Sequence, residues 1–203
     1  MPAVNIPPDF TACGSPATII EFLYYAVNRA HSILFYRGVY ELEDFRAVSK
    51  YGQDLVLIRD GDVTRYLDRF FKQVEEWLGQ KVIHRVILVI VSKDTGKTLE
   101  RWVFNLEPHE GPPNLDKIQL KIQATLKQLK ATIPIFPDIN EPTLFNLLAV
   151  TKDELEVIGS STKEQWVDAH AHAIPAEVRE QTALRGFNTK DTKLDMNVVY
   201  LDE

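Results

Sequence analysis

Apolar positions recur at helical spacing in three stretches of this 203-residue chain. In the first, Ile19, Phe22, Leu23, Ala26, Val27, Ala30, Ile33 and Leu34 lie three or four residues apart, the stripe of one long amphipathic helix. Ser15-Pro16 opens it with a hydroxyl at the N-cap and proline at the first helical position, and Gly38 is its natural stop. The second stripe is Val63, Tyr66, Leu67, Phe70, Phe71, Val74, Trp77 and Leu78, entered through Asp60-Gly61-Asp62 and ended by Gly79. The third is Leu115, Ile118, Ile122, Thr125, Leu126 and Leu129, preceded by Gly111-Pro112-Pro113 and capped by Asn114.

Between and after these helices the period changes. Val82 to Val91 is a nearly unbroken β-branched run, the mark of a strand covered on both faces. Thr98 to Glu107 alternates, and Ser92-Lys93-Asp94-Thr95-Gly96-Lys97 joins the two segments as a hairpin turn. Leu55 to Ile58 reads as a short strand. Pro134, Pro137 and Pro142 keep the stretch after the third helix off a sheet interior, so only Leu144 to Val150 is expected to pair well, and at an edge. After Thr151 the pattern weakens to scattered apolar residues (Val157, Ile158, Trp166, Ile174, Val178, Leu184, Phe187) and one clean β tripeptide, Val198-Val199-Tyr200. Helices grouped against a mainly antiparallel sheet predict an α+β fold, with an arm over residues 1–14, a core over 15–150 and a weakly committed tail over 151–203.

Composition narrows the function classes. Hydrophobic residues make up 45% of the chain, enough for one domain with its own core. A single cysteine, Cys13, excludes an intramolecular disulfide and a Cys₄ or Cys₂His₂ zinc site. No run of about 20 apolar residues is present to insert in a membrane, and the first residues lack the basic and apolar regions of an export signal, so an intracellular protein is expected. The net charge is -6, and residues 151–203 carry eleven Asp/Glu against six Lys/Arg. That balance attracts no phosphate backbone, so nucleic acid is not expected as a direct ligand.

Candidate chemistry is sparse. Gly96-Lys97-Thr98 resembles the end of a phosphate-binding loop, but Val91 stands where the first glycine belongs and the segment joins strand to strand. Asp94-Thr95-Gly96 matches the aspartic-protease tripeptide in a single copy flanked by lysines, which suits a solvated turn. Asp168, His170 and His172 alternate as three potential metal ligands on one face of a strand, the basis of an alternative reading as a metal-dependent hydrolase. An exposed loop explains the same pattern. No nucleophile elbow is present, and no cofactor is expected.

Several stretches occur in an order and spacing that resemble one family. Tyr36-Arg37-Gly38-Val39-Tyr40 ends the first helix and Lys50-Tyr51-Gly52 follows; Glu76-Trp77-Leu78 lies on the second helix and Leu99-Glu100-Arg101-Trp102-Val103-Phe104 on the hairpin. Together with the Val198-Val199-Tyr200 ending they resemble the HORMA-domain proteins, most of all their spindle-assembly-checkpoint branch. The resemblance implies a non-enzymatic switch whose C-terminal portion, a mobile safety belt, adopts an open and a closed topology and encloses an extended partner segment in the closed one. The partners implied are a coiled-coil kinetochore anchor (mitotic-arrest-deficient protein one), the Fizzy-type activator of the anaphase-promoting complex, other checkpoint-complex subunits and an AAA+ remodelling ATPase with its adaptor. The locations implied are the nucleus, unattached kinetochores in mitosis and the cytoplasm.

Residue by residue, the resemblance assigns partner-peptide binding to Trp77, Leu144, Leu147, Ala149, Val150, Val198, Val199 and Tyr200. It places an open–closed homodimer and adaptor surface at Lys127 and Gln128, where lysine replaces the family's arginine and loses the planar fork. A meiotic chromosome-axis component or a translesion-polymerase adaptor is the alternative within the family. A tail that commits weakly to any structure fits a segment with two destinations, whose packings differ by only a few kcal/mol.

Overall fold

The computed structural model describes residues 16–28, 33–50, 53–109, 115–152, 156–158, 167–168, 172–175 and 179–201. The first apolar stripe forms two helical segments, α1 (Pro16–Asn28) and α2 (Ile33–Tyr36), with the residues between them outside the described set. Gly38 ends α2 at φ +64°, and its amide bonds to the Phe35 carbonyl at 3.2 Å while that of Val39 reaches the Leu34 carbonyl at 3.0 Å. This crossed pair is the left-handed cap that glycine permits. A hairpin of β1 (Phe45–Lys50) and β2 (Gln53–Ile58) follows, extending the strand expected at Leu55–Ile58 by a whole partner.

Helix α3 (Gly61–Gly79) starts where the pattern placed it, because the Asp60 carboxylate accepts the amides of Asp62 at 2.7 Å and Val63 at 3.3 Å. Strands β3 (Ile83–Ser92) and β4 (Thr98–Pro108) form the expected hairpin, its turn closed by Gly96 at φ +70°. Helix α4 (Leu115–Thr132) leads through a short 3₁₀ turn (Ile133–Ile135) to β5 (Thr143–Thr151). The chain then supplies β6 (Glu156–Ile158), β7 (Val167–Asp168), β8 (Arg179–Asn188) and β9 (Thr192–Leu201). Every pairing described is antiparallel, and the large sheet runs β7-β6-β5-β3-β4-β9-β8. The α+β expectation holds.

The main core lies between the helices and one face of this sheet, joining Phe22, Leu67, Phe71 and Ile122 to Val86, Leu88, Ile90, Leu147 and Val198. The alternate residues of β3, namely Ile87, Val89 and Val91, are also buried, in a second cluster with Val103, Leu148 and Val150. A strand buried on both faces has no polar side to show, which is why its sequence is a continuous apolar run. Arg101 donates to the His172 carbonyl at 2.6 Å, so the chain beyond β7 returns against β4, where Ile174 is buried.

Two expectations are corrected. Strand β5 is not an edge over its full length, since Leu148, Ala149 and Val150 pair with Ile158, Val157 and Glu156 of β6. The tail holds far more strand than the Val198–Tyr200 tripeptide: β8 and β9 are ten residues each.

Candidate functional site

Strand β5 is held from one side by β3, from Ser92↔Thr143 through Val91↔Leu144 and Leu88↔Leu147 to Ile83↔Thr151. On its other side β6 reaches only Leu148 to Val150. Among the described residues, the outer edge from Thr143 to Leu147 therefore has no strand partner. Such an edge is a row of backbone donors and acceptors available for strand addition.

The edge is shaped by aromatic rings. Tyr66, on α3, accepts the Leu147 amide on its hydroxyl at 3.2 Å. Alternation along an antiparallel strand turns the amides of Phe145 and Thr143 the same way, outward. The Phe145 ring meets Tyr66 edge-on with centroids 5.9 Å apart and Tyr40 at 6.1 Å. Burial pushes the Tyr66 hydroxyl up to about 12, against the opposing pull of its bond to Leu147. Tyr40 is raised to about 12 as well, first by burial and then by the carboxylates of Asp60 and Asp44. Both are neutral phenols at physiological pH, so they serve the edge as hydrogen-bonding groups without charge.

The residues singled out from sequence fall in three places. Leu144, Leu147, Ala149 and Val150 all lie on β5, but only Leu144 shows its side chain to solvent, at 52% exposure. The other three are buried and contribute backbone alone; Ala149 and Val150 are already covered by β6. Trp77 sits near the end of α3, half-buried against the main core, its carbonyl accepting the Val82 amide at 3.0 Å. Val198, Val199 and Tyr200 lie on β9, paired with Trp102, Arg101 and Glu100 of β4. Two strands separate them from β5, about 14 Å at ~4.8 Å per strand. The structure does not bring them to the β5 edge; they seat the C-terminal hairpin on the opposite side of the sheet.

That seat is built around a buried ion pair. Arg37 bridges to the Glu100 carboxylate, donates to the Pro137 carbonyl at 2.6 Å, and is buried with Glu100, the residue of β4 that pairs with Tyr200 of β9. The Trp102 indole donates to the other Glu100 oxygen at 2.9 Å, and its ring meets Phe136 edge-on at 5.5 Å. Tyr200 covers the group, its ring 4.9 Å from Phe136 and its hydroxyl donating to Glu180 at 2.8 Å. Burial pushes the Glu100 carboxyl up, opposed by the charge and hydrogen bond of Arg37 and by the indole.

At the proposed dimer surface Lys127 is exposed, but Gln128 is half-buried and accepts the Arg185 amide of β8 at 3.1 Å. Arg185 lies in the irregularity between Leu184 and Phe187, where the β8–β9 register shifts and an amide needs a partner outside the ladder. Gln128 thus ties α4 to the C-terminal hairpin.

The metal reading gains no support. His170, Trp166 and the Asp168 side chain lie outside the described residues, as do Cys13, Ser15, His31 and Asn114. The His172 ring nitrogen rests 3.4 Å from the Thr98 hydroxyl, and no group of three potential ligands occurs among the described residues. Sequence reasoning missed Tyr66, Arg37 and the Gln128–Arg185 bond. Tyr66 was visible only as one more member of a helical stripe; the Arg37–Glu100 pair was inside the family-like stretches without any sign that the two meet.

The chain matches the HORMA domain family over residues 15–165. It is 35% identical over 209 residues, covering 98% of both chains, to the mitotic spindle checkpoint component mad2 of Schizosaccharomyces pombe. It is 30% identical over 200 residues to the mitotic spindle assembly checkpoint protein MAD2A of Homo sapiens, covering 94% of this chain and 92% of that one. A chain in the crystal structure of a mitotic checkpoint complex superimposes with a TM-score of 0.80 at 36% identity, covering 92% of this chain and 98% of its own. The Caenorhabditis elegans protein HTP-2 bound to the HIM-3 closure motif shares the fold, with a TM-score of 0.72 at 10% identity, covering 93% of this chain and 92% of that one. With a domain match over most of its length and relatives spanning nearly all of it, the chain belongs to the HORMA-domain family, and its full-length relatives are Mad2-type mitotic checkpoint proteins.

Proposed function

We propose that this protein is a spindle assembly checkpoint component that captures an extended partner segment by strand addition to β5 and encloses it with the chain that follows. The observation that carries the reading is the division of the sheet. The C-terminal hairpin β8–β9 is bound to β4, and the outer edge of β5 over Thr143–Leu147 is left without a strand partner among the described residues. This is the arrangement expected of the closed topology. The partners proposed are a coiled-coil kinetochore anchor and the Fizzy-type activator of the anaphase-promoting complex, whose sequestration delays anaphase. An AAA+ ATPase with its adaptor reopens the closed form. The role is non-catalytic, and the residues that perform it are backbone groups of β5 and the strands that hold the hairpin in place.

Strand addition alone is weak. About six backbone hydrogen bonds at ~1 kcal/mol net each amount to ~6 kcal/mol, tens of micromolar before association costs. Enclosure changes the kinetics rather than the contacts, because the segment leaves only when the covering chain locally unfolds. The test is retention of a synthetic peptide spanning the checkpoint-protein-binding segment of a Fizzy-type activator. Full-length protein retains it through extended washing. A truncation lacking residues 194–203 removes most of β9, unseats the hairpin from β4 and releases the peptide. Equal retention by both proteins overturns the proposal.

A further inference from the structure

The inference rests on the strand-capture reading above and concerns what holds the edge before a partner arrives. Backbone donors at a sheet edge are normally satisfied by water or by an added strand. At Leu147 the donor is satisfied internally, by the hydroxyl of Tyr66 at 3.2 Å. Leu147 is the boundary position: the next outward-facing residue, Ala149, is paired with Val157 of β6, and the outward amides before it belong to the open stretch. Leu147 itself has no exposed surface, so water is a poor substitute partner there.

We propose that Tyr66 is a gate residue whose hydroxyl stands in for a partner carbonyl on the Leu147 amide and must be displaced when an extended segment adds to β5. The hydroxyl suits the task because it is held by a ring. Tyr66 packs against Phe145 at 5.9 Å and against Phe70 at 6.5 Å, so its oxygen is presented to the edge at little entropic cost. An incoming carbonyl offers the same acceptor with five neighbouring bonds besides, and it wins only when the rest of the segment pairs in register. A segment that pairs over Thr143–Phe145 alone leaves the gate shut. The occupant is an extended peptide of any sequence that supplies a carbonyl at that position, and the selectivity conferred is one of length and register rather than of side chains. A displaced hydroxyl also moves a side chain of α3, which couples occupancy of the edge to the helix that carries Trp77.

Tyr66→Phe keeps the ring and removes the stand-in. The empty protein then bears an unsatisfied Leu147 amide while the captured state is unchanged, so the Fizzy-type activator peptide is expected to bind three- to tenfold more tightly to the variant, with the gain in association rate. Residue-resolved amide exchange on the empty proteins provides the second measurement: Leu147 is protected in the wild type and exchanges faster in Tyr66→Phe, whereas Ala149 is unaltered. Equal or weaker binding by a folded Tyr66→Phe, or a Leu147 amide in the wild type that exchanges as fast as that of Phe145, overturns the gate while leaving strand capture standing. Failure of the wild type to take up the peptide at all overturns both.

Discussion

In the C-terminal hairpin the strands come closest at a glycine, and adding a side chain there is expected to destabilise the protein measurably. Gly186 lies in β8 where the register against β9 shifts between Leu184 and Phe187, and the strands approach there more closely than a side chain allows. A Cβ built on Gly186 falls 1.7 Å from the Leu194 carbonyl oxygen, 2.7 Å from its carbon and 2.9 Å from the Asp195 Cα. All three are backbone atoms, so no rotamer relieves the overlap. Restoring even 3.0 Å, the least that real Cβ atoms keep, requires the strands to part by more than an ångström. Parting frees the ladder at Phe187↔Leu194 and Leu184↔Met196 and draws Phe187, 3% exposed, off the Phe22 ring 4.9 Å away. Partial loss of burial for two such side chains at ~1.5–3 kcal/mol each, with a few hydrogen bonds at ~1 kcal/mol net, gives about 3–5 kcal/mol for Gly186→Ala. In urea, at a slope of ~2 kcal/mol per molar, the unfolding midpoint falls by roughly 2 M. Gly79→Ala is the matched control, since nothing lies within 4 Å of a Cβ at that helix end, and it should leave the midpoint unchanged or raise it slightly. Superimposable unfolding curves for Gly186→Ala and wild type would refute the close strand approach.

The remaining predictions concern charge and pH. Glu100→Gln strands the buried Arg37 without its counter-charge and is expected to cost about 3–5 kcal/mol in urea unfolding, while adding Arg37→Met recovers most of the loss; a double variant as unstable as the single one contradicts the pairing. The Tyr66 phenol, raised to about 12 from an ordinary 10, keeps its proton through a range where the unfolded chain loses it. Its contribution is complete below pH 10 and is lost as pH rises toward 12, roughly 2–3 kcal/mol, so unfolding free energy should fall across that window and fall less in Tyr66→Phe. The resemblance to the family places a self-association surface on the exposed face of α4, and Lys127→Glu tests it: the expected outcome is weaker self-association in sedimentation-equilibrium ultracentrifugation without reduced peptide retention; Gln128→Ala should instead lower hairpin stability by about 1 kcal/mol through the Arg185 amide.

Elements with a cap and a long stripe were legible from sequence. Helix α3 shows both, with Asp60 as cap and Leu67, Phe70, Phe71, Val74 and Leu78 buried on one face. Strand β3 was legible because both its faces are buried, so its apolar run has no interruption. Strand β8 was not, and the reason is physical: only Leu184 and Phe187 are buried, and the register shift between them breaks the period of two by which a strand is recognised. Strand β1 was missed beside its better-marked partner β2. At the site, the prolines before Leu144 pointed to an edge strand, yet β6 pairs with three of the nine residues of β5 through a segment too short to declare itself. Tyr66 and Gln128 were hidden more deeply. Each works through one hydrogen bond to a backbone amide distant in sequence, and a backbone amide leaves no signature in the residue that bears it.

Strand capture is tested most directly by amide exchange, read residue by residue, with and without the Fizzy-type activator peptide. The outward amides of Thr143 and Phe145 are expected to pass from fast to slow exchange on binding and to remain slow for as long as the hairpin stays paired with β4. Protection that arises on the α4 surface around Lys127 while Thr143 and Phe145 continue to exchange freely would contradict strand capture.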